Sequence, residues 1–304
     1  MELTWLMRAR ILAALAAGFV VVGIAGWPVA APAIPGGAVT LQAGHIGIGD
    51  GMIFLVLALA AGAIAYFAAW PYGRDIAVLA APAGLALWAT RTGSMAALLR
   101  LNMGLTADQT FLMRRQALAA MQWESLFWIA IVAAGYAGVR LAARFVPASK
   151  PVKDEEIGNV NTRNAVNNVA AFVAAVVIGQ FAMAVFAQDV RMSDSQLGSV
   201  IGQPGTGQIA FAAIVSFAIA AFVAKRCLDV SYIVPALATP VLAFIGIWLA
   251  AKPDVLRHMI ENWPEAFFSR SISAVLPIQL VAFGSIGAVI GYWLAIKHAW
   301  WRKT

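Results

Sequence analysis

Eight apolar segments dominate the chain, at about residues 11–31, 52–70, 76–90, 125–146, 168–187, 208–224, 230–250 and 273–296. A helix rises about 1.5 Å per residue, so about twenty residues cross a hydrocarbon layer of about 30 Å. Lipid offers the backbone no hydrogen-bonding partner, and a helix supplies its own. The segments therefore predict an all-α integral membrane protein of about eight transmembrane helices. The third, IAVLAAPAGLALWAT, is short for a span and is the weakest of the eight.

Composition agrees. Of 304 residues, 62% are hydrophobic and 12% charged, whereas a soluble domain is about a quarter charged. The net charge of +7 does not point to nucleic acid, because the basic residues flank apolar spans rather than forming a stripe. Cys227 has no second cysteine to pair with, so no intrachain disulfide shapes the fold. The opening MRAR, an apolar run and VAAPA resemble a signal peptide with a small-residue cleavage site. A retained helix is the favoured reading, because the run is long for a signal and has a counterpart in the second half of the chain.

Positive charge sets an expected orientation. Arg8, Arg10, Arg74, Arg140, Arg144, Lys150, Lys153, Arg163, Lys225, Arg226, Lys297, Arg302 and Lys303 fall on one side if both termini are cytoplasmic. Arg91, Arg100, Arg114, Arg115, Arg191, Lys252, Arg257 and Arg270 fall on the other. Short loops without an N-x-Ser/Thr acceptor fit a multi-pass protein of a bacterial inner membrane.

A similar glycine-rich turn is written twice. GIGDG (47–51) and PGTGQ (204–208) place Gly49 and Gly51 156 positions before Gly205 and Gly207 (205 − 49). The same offset aligns Val20–Gly23 with Val176–Gly179, Met103 with Met259, Phe111 with Phe267, Arg114 with Arg270, Phe127 with Phe283, and Gly135–Tyr136 with Gly291–Tyr292. The sequence thus reads as a 4+4 internal duplication: a first repeat at 1–146, a polar cytoplasmic linker at 147–167 and a second repeat at 168–304. Four spans return the chain to its starting side, so the repeats share one orientation about a pseudo-twofold axis along the membrane normal. The glycine turns are expected to be outer connections, where glycine allows positive φ and close backbone approach. Neither has the Lys-Ser/Thr of a phosphate loop. Segments 91–124 and 251–272 are longer than connections need. They read as amphipathic outer helices at headgroup depth, with Phe111/Arg114 and Phe267/Arg270 repeating one spacing.

Reactive constellations are sparse. His45, His258 and His298 lack metal-ligand spacing, and no metal or cofactor is expected. Polar residues in spans are functional candidates, because lipid penalises them. They are Gln180 in span five, Glu124 at the start of span four and Gln279 near the start of span eight. Pro82 interrupts span three, and Pro235 and Pro240 interrupt span seven. Matching interruptions in two repeats can mark a transport site, although packing kinks are commoner. The expected function is a non-catalytic membrane subunit, scaffolding or anchoring a complex of other membrane subunits in the bilayer. The alternative is a small-molecule transporter with its site between the repeats, near Pro82, Gln180 and Pro235.

Overall fold

The computed structural model describes residues 5–41, 46–146 and 162–301. The linker expected at 147–167 lies outside these residues up to position 161, as does His45. Seven described helices are long and apolar enough to cross a membrane, or eight if one broken pair counts as a span. The protein is thus a multi-span membrane protein by helix length and hydropathy.

In chain order the first half holds α1 (Trp5–Gly18), which continues as a π-helical turn (Phe19–Ile24), then α2 (Trp27–Ala30) and α3 (Ile48–Ala68). Next come α4 (Gly73–Ile76), a 3-10 turn (Ala77–Leu79), α5 (Ala80–Arg91), α6 (Met95–Leu101), α7 (Ala107–Met121) and α8 (Glu124–Phe145). The second half holds α9 (Thr162–Phe186), β1 (Arg191–Asp194), β2 (Gly198–Gly202), α10 (Thr206–Leu228), α11 (Ile233–Ala250), α12 (Pro253–Asn262), β3 (Phe267–Phe268), a 3-10 turn (Ser271–Ala274) and α13 (Pro277–Trp301). The weak third span is the broken one. Gly73–Arg91 and Met95–Leu101 meet at a bend of 54°, so its shortness in sequence has a structural basis.

Small residues set how the helices meet. In lipid no hydrophobic force draws helices together, so close backbone packing has to do it. α3 and α8 run parallel. A Cβ on Gly62 would lie 2.0 Å from the Gly135 carbonyl oxygen, and one on Gly138 2.0 Å from that of Leu59. α10 and α13 run parallel in the same way: Cβ atoms on Gly287 and Gly291 would lie 2.3 and 2.0 Å from the carbonyl oxygens of Ile214 and Ala218. α1 packs on α3 and α5, and α9 packs on α10 and α11. The halves meet where α13 lies against α5 and α8, and where α11 lies against α8. Of the seven unbroken spans α13 is the most buried, with 72% of its apolar window buried against 22% for α1 or α9. One apolar core runs through both halves.

The expectation for the glycine turns needs correcting. Gly49, Gly51, Gly205 and Gly207 are not loop turns; they lie at the starts of α3 and α10, which Gly47 and Gly205 cap. None of the four has positive φ. A Cβ on Gly49, Gly205 or Gly207 would meet nothing within 4 Å, and one on Gly51 would meet only the Phe127 ring. The close approaches between spans are made by glycines within the helices instead, such as Gly62, Gly138, Gly287 and Gly291.

The outer segments also differ from expectation. Residues 91–124 form two helices, α6 and α7, joined through Asn102–Thr106. Residues 251–272 form a helix only to Asn262. Trp263 precedes Pro264 and takes extended dihedrals (φ −130, ψ 140), as a residue before proline must. Phe267 then enters a strand. Phe111/Arg114 and Phe267/Arg270 therefore share a spacing without sharing a local structure. A three-stranded antiparallel sheet, β1-β2-β3, lies at this end of the bundle, which is termed the sheet end below.

Candidate functional site

Polar groups gather at the seam between the halves, at the cap at the sheet end and in a tyrosine cluster at the opposite end.

At the seam, Gln279 is buried near the start of α13. Its Nε2 donates to the Ala89 carbonyl of α5 at 3.3 Å, and its Oε1 accepts from the Leu276 amide at 3.1 Å. On the other flank, Ser125 of α8 donates to the Pro240 carbonyl of α11 at 3.1 Å. Trp123 lies against Phe244 with ring centroids 5.2 Å apart. Pro240 has no amide hydrogen, so the carbonyl four residues earlier, on Ala236, loses its helical donor. Thr239 Oγ1 donates to that carbonyl at 2.7 Å. The kink is thereby satisfied within its own helix.

The other candidates scatter. Pro82 and Pro235 are buried in the first turns of α5 and α11, where the missing amide costs little. Pro235 lies at the end away from the sheet, whereas Ala81, next to Pro82, packs on Gly135 midway along α8. Glu124 begins α8 at the sheet end, and its Oε1 accepts from the Leu41 amide at 2.9 Å. Gln180 is half-buried in α9, and its Oε1 is buried without a hydrogen bond. Among the six candidates, Pro240 and Gln279 take part in hydrogen bonds between the halves, and Glu124 adjoins Ser125, which makes one.

The cap is built from both halves. Gln203, just after β2, accepts from the Ala96 amide at 3.1 Å and donates to the Ala274 carbonyl at 3.0 Å. Arg114 of α7 is buried; its Nε donates to the Leu99 carbonyl at 3.2 Å and its guanidinium lies 3.5 Å from Glu265. Arg257 of α12 sits over the Phe111 ring at 5.2 Å. Arg270, the expected counterpart of Arg114, is exposed.

Asp194 organises the far side of the cap. It ends β1, and Gly198 with φ +74 completes the hairpin. Its Oδ1 accepts from the Gln196 and Leu197 amides at 2.9 and 2.6 Å. Its Oδ2 accepts from Trp263 Nε1 at 2.7 Å and pairs with His258 Nε2 at 2.8 Å. The His258 bond first, then these donors, hold its carboxyl well below the usual carboxylate range. Asn262 Nδ2 lies 3.2 Å from His258 Nδ1, so the imidazole is bonded on both sides. Sequence reasoning missed this cluster because its members stand 64 and 69 positions apart. The hairpin itself had a readable signal in DSQLG.

At the opposite end, Tyr136 and Tyr292 each carry a cation over the ring, Arg140 at 6.0 Å and Lys225 at 5.1 Å. Tyr232 packs against Tyr292 at 5.5 Å, and burial pushes its phenol up. Cys227 is exposed. Among the described residues no three His, Cys, Asp or Glu side chains come together.

No protein-family model matches the chain, and no curated protein and no solved structure is detectably similar to it.

Proposed function

We propose that the chain is a non-catalytic membrane subunit that anchors or scaffolds a larger membrane complex, built by duplication of a four-helix unit. The helix pairing supports the duplication. At the offset of 156, the Gly62–Gly135 approach corresponds to the Ala218–Gly291 approach. Trp123 corresponds to Gln279, and each crosses the seam to positions 244 and 89, which correspond to within one residue. These matches are those expected of two like-oriented units about an axis along the membrane normal. Arg8, Arg10, Arg74, Arg140, Arg144, Lys225 and Arg226 cluster away from the sheet, which favours a cytoplasmic position for that end in an inner membrane.

The observation that carries the scaffold reading is the double lock between the halves. α13 is enclosed against both, and the cap bridges them through Gln203 and the Arg114–Glu265 pair. A carrier has to rock its halves against each other; a scaffold needs them fixed. Mild-detergent extraction followed by crosslinking and mass spectrometry is expected to return stable membrane-protein neighbours. Recovery of the chain alone, without a reproducible neighbour, counts against this function.

One observation favours the transporter alternative. Ser216 and Ser285 Oγ and Gln180 Oε1 are buried in spans without a hydrogen bond. If a watery path served them, Ser216→Cys and Ser285→Cys in a Cys227→Ser background would react with a membrane-impermeant thiol reagent. The scaffold reading expects both to stay inert.

A further inference from the structure

The sheet end holds a cavity of about 440 Å³, within the range of about 300–1,000 Å³ usual for small-ligand sites. Its floor is the segment 32–40, and its walls come from α6 and α7. α7 and α8 form one run of 39 residues, Ala107–Phe145, about 58 Å long at about 1.5 Å per residue. The 22 residues of α8 already cover a hydrocarbon layer of about 30 Å. α7 therefore stands beyond the hydrocarbon, and the cavity opens on the water side of it. The floor is fixed before any ligand arrives. The Gly93 amide donates to the Gly37 carbonyl at 2.9 Å, and a Cβ on Gly93 would lie 2.1 Å from the Gly36 carbonyl oxygen.

The floor offers donors without charge. The amides of Val39 and Leu41 turn away from the cavity, to Thr92 Oγ1 at 2.7 Å and Glu124 Oε1 at 2.9 Å, and neither acceptor belongs to the lining. Ala38 and Thr40 alternate with them, are 6% and 4% exposed, and line the cavity. Their amides donate to no group among the described residues. The Thr40 hydroxyl forms no hydrogen bond among them either, and unlike those of Ser216 and Ser285 it is not sealed from open space. A buried amide is nearly always paired, with protein, water or a ligand. Asn102 spends its Nδ2 on the Leu98 carbonyl at 2.9 Å, and no charged side chain belongs to the lining. Ile34, Leu101 and Met113 surround these donors as an apolar rim that stays substantially exposed. A charged guest would leave water with no opposite charge facing it, which costs far more than moving a neutral one. The lining thus selects a molecule that is uncharged, accepts hydrogen bonds and has an apolar body.

We propose that this cavity binds a small uncharged molecule with a carbonyl oxygen on an apolar body, the oxygen accepting from the donors of Ala38 and Thr40. The site is formed by the isolated chain, so its failure would leave the scaffold reading untouched. The probe is benzophenone, a neutral ketone on an apolar body that photolabels what it touches. The full chain in phosphatidylcholine nanodiscs is irradiated with it, and mass spectrometry compares labelling of the rim with that of exposed Val173 and Val177 on α9. Ile34, Leu101 and Met113 are expected to be labelled above that background. Thr40→Val is expected to lower rim labelling about fivefold, the worth of one hydrogen bond, and Thr40→Ser to restore it. Ala117→Trp, which fills the cavity, is expected to abolish it. 4-Benzoylbenzoate, the same body with a carboxylate, is expected to show no labelling of the rim that depends on Thr40. A rim labelled no more than α9, labelling unchanged in a monodisperse Thr40→Val or Ala117→Trp variant, or labelling by the carboxylate that depends on Thr40 overturns the proposal. Dioleoylglycerol, which carries ester carbonyls on a lipid, is expected not to compete, because the cavity opens beyond the hydrocarbon. Competition would overturn the proposal in favour of a bilayer lipid.

Discussion

Asp194 accepts four hydrogen bonds, two from backbone amides and two from side chains on or just after α12. Each is stronger to a carboxylate than to a carboxylic acid, which is why its pKa is depressed. The sign of the linkage follows. A group with a folded pKa below its unfolded value of about 3.9 stabilises the fold above that value. The contribution is lost as pH falls below it toward the folded pKa. Hydrogen exchange at the Gln196 and Leu197 amides, corrected for intrinsic rate, is therefore expected to stay slow from neutral pH to about pH 5 and to accelerate below about pH 4. Asp194→Asn is expected to exchange quickly throughout, with no pH step. A wild-type profile without acceleration in acid would mean that the carboxylate does not hold the hairpin. Thr239 poses a second test at this scale. Thr239→Val keeps the shape and removes the donor to the Ala236 carbonyl. It is expected to destabilise the protein by about 1 kcal/mol, the size of a typical hydrogen bond inside a membrane protein. An unchanged melting temperature in detergent would show that the carbonyl finds another donor.

Among the elements, the glycines separate two roles that a sequence writes with one letter. Gly62 and Gly291 each face a carbonyl oxygen at 2.0 Å from where a Cβ would stand. The obstacle is backbone, so the helices themselves must move apart. Gly62→Ala and Gly291→Ala are expected to cost about 1–3 kcal/mol each, as overpacking does. Gly49 and Gly207 have open space around them inside first turns. Gly49→Ala and Gly207→Ala are expected to be neutral or to stabilise by about 0.5–1 kcal/mol, because alanine orders a helix more easily than glycine. Thermal unfolding of the four variants in one detergent decides the matter; equal effects across the set would refute the distinction. The contrast also shows what a linear reading can reach. Hydropathy located the spans, because a span must be long and apolar whatever surrounds it, and the short third segment was already suspect. The partner of each glycine was not legible, since Gly62 and Gly135 stand far apart in the chain and only packing joins them. The strand at Phe267 was missed for a related reason. Its spacing from Arg270 copies that of Phe111 from Arg114, but Pro264 ends the helix and β2 offers it an edge.

For the whole molecule, the question is what holds the halves together. The chain joins them only once, between α8 and α9, whereas side chains join them at both flanks of α13 and through the cap. If those contacts suffice, the covalent connection is dispensable. Residues 1–146 and 162–304, expressed as separate chains in one membrane, are then expected to co-purify in mild detergent as an equimolar pair. The seam should be the determinant. Gln279→Leu removes the bond to Ala89 while keeping the bulk of the side chain, and Trp123→Ala empties the corresponding position on the other flank. Either alone leaves the opposite flank and the cap intact, so partial association should survive. The pair of substitutions together should weaken the association further than either alone, because both flanks of one seam then lose a contact, leaving the Ser125–Pro240 bond, the packing of α13 and the cap to hold the fragments. Fragments that separate without any substitution would place the burden on the linker. Fragments as firmly associated after both substitutions as before would place it on the remaining packing and the cap, and the next variant would be Glu265→Gln, which removes the charge that Arg114 faces.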